Sequence, residues 1–96
     1  VGAIILARME LNFEPLLKQQ KYTEIIAELK KVLETGFLSP EEEQLTLCNI
    51  ASFYSRLPNP PIKTVIEHLE AALKKAPNSF RAKTIKEDIE YLKAKN

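Results

Sequence analysis

Laid over itself at an offset of forty residues, the chain matches its own apolar pattern. Tyr22, Ile25, Ile26, Leu29, Val32 and Leu33 fall on Ile62, Val65, Ile66, Leu69, Ala72 and Leu73, without a gap. Phe13 falls on Phe53, Leu17 on Leu57 and Ile5 on Leu45. Helical periodicity alone aligns many amphipathic pairs, but a match of the preceding helices at the same offset is a stronger constraint. The implied unit is a helix–turn–helix used twice and followed by a single helix. Each hairpin alone exposes an apolar face, and stacking buries it.

Local signals place the elements. Residues 21–34 put the first apolar set on one face and Glu24, Glu28, Lys31 and Glu34 on the other, with Gly36 as a stop. Ser39-Pro40-Glu41-Glu42 then combines a capping serine, a proline at the first helical position and a glutamate three residues after the cap. The helix it opens carries Leu47, Ile50, Ala51 and Tyr54 and must end by Leu57, because LPNPP cannot continue it. Pro61 opens the next helix, which Pro77 closes. The last segment, 80–95, has Ile85, Ile89 and Leu92 on a narrow face and is otherwise charged, as suits a helix covering the end of a stack. Before all of these, a helix runs from Ala3 to about Leu17, with Pro15 either kinking it or starting a short turn. The expectation is an all-α, right-handed stack in one domain over 1–96. Unit 1 covers about 3–36, unit 2 about 39–77, and a capping helix about 79–95.

At this level the residues resemble the tetratricopeptide (TPR) repeat family. Val65, Leu69, Ala72 and Pro77 fill the small, bulky, alanine and proline places of that family's second helix. Leu47, Ile50, Ala51 and Tyr54 fill the large, leucine, small and aromatic places of its first. Ile25, Leu29 and Val32 repeat the second-helix places in unit 1. The resemblance covers roughly residues 6–79. It departs in its forty-residue period, in the bulky Phe13 at a small place, and in a last helix without the first-helix pattern. HEAT and armadillo solenoids, nearer forty residues per unit, are the structural alternative.

The residue inventory excludes most chemistry. There is one His and one Cys, so no intrachain disulfide forms, and a reducing, cytoplasmic setting is favoured. Cys48 reads as a packing thiol and His68 as a surface imidazole on the polar side of its helix. No clustered metal ligands and no glycine-rich phosphate loop occur. The expectation is a protein with no cofactor, no metal and no catalysis. The opening VGAIILA is apolar for seven residues, too short to span a bilayer. It reads as the face of a core helix, or as the remnant of a removed anchor in a chain that starts at Val1.

What the resemblance implies is a concave groove of first helices that binds a peptide or a partner helix. Its lining would be Leu45, Cys48, Asn49, Ser52 and Arg56, with Arg81 at the start of the last helix. Asn49 and Arg81 match polar places that chaperone-tail-binding members use to hold a terminal carboxylate. Glu10 and Glu14 stand where those members need lysine and asparagine, so an acidic chaperone tail is not the expected partner. The alternatives are a structural fragment of a longer solenoid, whose open ends stack on neighbours or self-associate with a second copy, or nucleic-acid binding by a basic end. Residues 1–73 carry net −3 and residues 74–96 net +4. That basic set is Lys74, Lys75, Arg81, Lys83, Lys86, Lys93 and Lys95, with only Phe80 and Tyr91 as interleaved aromatics.

Overall fold

A computed structural model describes Gln19 and residues 21–95. The expected helix from Ala3 to Leu17, with its Pro15 and the pair Glu10 and Glu14, lies outside the described residues. All described secondary structure is helical: α1 (Tyr22–Glu34), α2 (Pro40–Ser55), α3 (Ile62–Lys75) and α4 (Ala82–Lys95).

The helix ends follow the residues that make them. After α1, Gly36 sits at φ 73°, the left-handed conformation that costs a residue with a Cβ about 1–2 kcal/mol. Thr35 ties the last turn by donating its hydroxyl to the Val32 carbonyl at 2.7 Å. At α2 the capping box is complete. Glu42 N–H donates to Ser39 Oγ at 3.2 Å, and Ser39 N–H donates to Glu42 Oε1 at 2.9 Å. Hydrogen bonding from the Ser39 backbone first and from its side chain second holds the Glu42 carboxyl below its ordinary value. Helix α3 starts directly after Pro61. Phe80, expected to open the last helix, instead lies in the turn before α4 and is 81% exposed.

Neighbours in sequence pack on one another, α1 on α2, α2 on α3 and α3 on α4, and the α2–α3 interface is the most extensive. Helix α2 therefore buries residues around much of its circumference. Ile50 meets Ile25, Ile26 and Leu29 of α1. Leu47 and Ala51 meet Val65, Ile66, Leu69 and Ala72 of α3, and Ile85 and Ile89 of α4 complete that cluster. Fully burying one such Ile, Leu or Val side chain contributes about 1.5–3 kcal/mol. Ala51 and Ala72 are essentially inaccessible, as expected where two backbones come close.

Two buried side chains, Gln44 and Thr46, are not part of the apolar pattern. Gln44 of α2 is fully buried, and its amide donates to the carbonyls of Ala72 at 3.0 Å and Ala76 at 2.9 Å. Ser79 donates to Gln44 Oε1 in turn. The last carbonyls of a helix have no intrahelical donor, and Pro77 brings no N–H of its own. Gln44 donates to both carbonyls, beside the Ser79 N–H that reaches Ala76 at 3.2 Å, and fastens the α3–α4 connection to α2.

Candidate functional site: a groove between α2 and α4

Helices α2 and α4 both pack around α3, and between them lies an open groove of about 550 Å³. The α2 edge presents Leu45, Cys48, Ser52 and Ser55, residues spaced i, i+3, i+7 and i+10 on one stripe. The floor is Val65 and Leu69 of α3. The α4 edge presents Arg81, Thr84, Asp88 and Leu92, with Phe80 and Tyr91 at its two ends. Phe80 and Tyr91 are 81% and 59% exposed. Exposed large aromatics beside an apolar hollow mark an interaction surface more often than isolated apolar residues do.

Of the residues expected in a groove, Leu45, Cys48, Ser52 and Arg81 line this one together. Asn49 and Arg56 are not part of its lining. Arg56 points its guanidinium over two rings on the α1 side, 5.1 Å from the Phe53 centroid and 5.8 Å from that of Tyr22. The Tyr22 and Phe53 rings stack at 5.9 Å. The sequence places Ser55 on the same face as Leu45 and Ser52, whereas Ala51, Thr84 and Asp88 were not expected in the lining. The i+3 and i+4 continuation from Leu45 reaches Ser55, and that from Arg81 reaches Thr84 and Asp88.

The groove's electrostatics are simple. Its α2 edge carries no charge, and its α4 edge carries one of each sign, Arg81 and Asp88. Neither forms an ion pair among the described residues, where the pairs are Lys31–Glu28, Lys75–Glu43 and Lys93–Glu70. Arg81 lies over the Phe80 ring at 4.3 Å and Lys95 over Tyr91 at 4.6 Å. Burial pushes the Cys48 thiol up, while Arg81 lowers it and Asp88 raises it further. Cys48 is thus a neutral thiol rather than a ready nucleophile.

His68 departs from its expected surface position. It is half-buried, with its ring 5.2 Å from Tyr54. Its Nδ1 lies 2.8 Å from the Thr64 carbonyl, which only accepts, so Nδ1 carries the hydrogen. Among the described residues no three His, Cys, Asp or Glu side chains come together as a metal site. No described helix is long and apolar enough to cross a membrane.

Comparison with family models, curated proteins and solved structures finds no match to this chain.

Proposed function

We propose that the chain is a non-catalytic protein-interaction module, built as TPR-like hairpins with α4 as the terminal helix, which binds a peptide or partner helix in the α2–α4 groove. The observation that carries this reading is the pair Phe80 and Tyr91, large aromatics left exposed at the two ends of an open apolar groove. Aromatic anchors in such a hollow are where interface energy concentrates. The exposed outer residues of α4, Lys83, Lys86, Glu87 and Glu90, suit a helix that ends an array rather than one that continues it.

A random 12-residue peptide display library tests the reading. The intact protein is expected to enrich binders, and Ser52→Trp, which fills the groove from an exposed position, is expected to lose them with its helical circular dichroism unchanged. Peptides that bind both proteins equally would place the contact elsewhere.

A second reading, single-stranded nucleic-acid binding, draws support from the cations lying over Phe80 and Tyr91, because base stacking and phosphate contacts use such pairs. Glu87, Asp88 and Glu90 on the same helix oppose it. A salt titration of RNA binding separates the two: an affinity falling steeply between 50 and 200 mM salt, about 10³-fold or more for many phosphate contacts, would favour nucleic acid.

A further inference from the structure

Resting on the interaction-module reading, we propose that the groove selects an extended peptide carrying an acidic and a basic side chain three residues apart, the acid held by Arg81 and the base by Asp88. All charge facing the groove comes from α4 and the residue before it, Asp88 and Arg81, and it is bipolar. Arg81, at the N-terminal boundary of α4 where its carbonyl accepts from Ile85 N–H, and Asp88 are seven residues apart, two turns or about 10 Å along the axis. An extended chain in polyproline II geometry, with three residues per turn and about 3.1 Å each, covers that distance in about three residues and brings both side chains to the same side. Both charges act on Cys48 at the opposite edge, so their fields reach across the groove where a ligand would lie.

The hydroxyls explain why the occupant is extended rather than helical. Ser52 on one edge and Thr84 on the other make no side-chain hydrogen bond among the described residues, and both are exposed. An extended segment arrives with unpaired backbone N–H and C=O groups that such hydroxyls satisfy, whereas a helix has already paired its own. The Val65 and Leu69 floor then takes an apolar side chain between the two charges. Because the acid is fixed at the Phe80 end and the base toward Tyr91, the order of charges sets the direction in which the peptide lies.

The test extends the display selection with a charge exchange. Peptides selected on the intact protein are expected to be enriched in an acid and a base at i and i+3. A selected peptide is expected to lose at least about tenfold in affinity on the double variant Arg81→Asp with Asp88→Arg, and to recover when its own two charges are exchanged. Asp88→Lys alone, at an exposed position, is expected to weaken the same peptide should the double variant lose helicity. Binding that Ser52→Trp abolishes but that ignores the charge exchange would overturn this inference and leave the interaction module standing. Failure to enrich any groove-dependent peptide would overturn both.

Discussion

Gln44 is a polar side chain buried where the apolar pattern gives no hint of it, and its importance lies in three hydrogen bonds. In sequence it reads as the polar flank of the Leu47, Ile50, Ala51 stripe. The partners that require it, the carbonyls of Ala72 and Ala76, are distant in the chain, which is why it was not legible beforehand. Gln44→Leu keeps the approximate volume but removes the side-chain donor from the Ala72 carbonyl and leaves the Ala76 carbonyl only the Ser79 N–H. Unpaired buried acceptors cost about 1–3 kcal/mol, so the urea midpoint is expected to fall with an unchanged slope. A midpoint equal to the parent's would show that water or backbone takes over the role. Gly36 offers the complementary case. Nothing lies within 4 Å of an added Cβ, so Gly36→Ala is expected to cost about 1–2 kcal/mol through backbone conformation alone; a neutral change would mean the turn relaxes to another conformation. The groove residues divide similarly. All five α2 positions, Leu45, Cys48, Asn49, Ser52 and Arg56, were implied by the resemblance, and only Leu45, Cys48 and Ser52 line the groove. The faces of α2 are shared between α1, α3 and the groove, and only packing decides how they are shared.

At the scale of elements, α2 is the best-specified helix, and its start was readable in four residues. Ser39→Ala removes the hydroxyl that accepts from Glu42 N–H and is expected to cost about 1 kcal/mol. The pH dependence follows from the partner carboxyl. The folded state lowers the pKa of Glu42 below 4.5, so its contribution is complete above that value and fades as pH falls through the lowered one. The stability difference between the parent and Glu42→Ala is therefore expected to shrink below pH 4.5, measured by denaturation across an acid series. A gap that stays constant into strong acid would mean that the charged carboxylate contributes nothing beyond a neutral acceptor. The other helix starts were less sharp. No side chain caps α1 or α3, and Phe80 stays outside α4 because the Ala76–Ser79 and Ser79–Ala82 turn bonds come first. A helical period identifies a face, but it does not say where a turn hands over to a helix.

Across the described helices, packing is unevenly shared. Helices α2 and α3 share the largest interface, while α4 buries Ala82, Ile85 and Ile89 and is otherwise charged and wet. Elements with few buried apolar contacts open first, so amides of α4 are expected to exchange with solvent faster than those of α2 and α3. Equal protection in α4 and α2 would instead mean that the described helices unfold as one unit. The helical class was legible from periodicity, proline placement and the single capping box. The groove's depth and the pairing of its edges were not, because they depend on how far α4 stands from α2 across α3. That placement leaves one more property in hand. Cys48 is the chain's sole cysteine, and it sits on the groove's edge. Because burial keeps its thiol neutral, a single environment-sensitive fluorophore is attached there at alkaline pH; it needs no engineered site and would report occupancy of the groove by a change in emission. The protein carries its own labelling position.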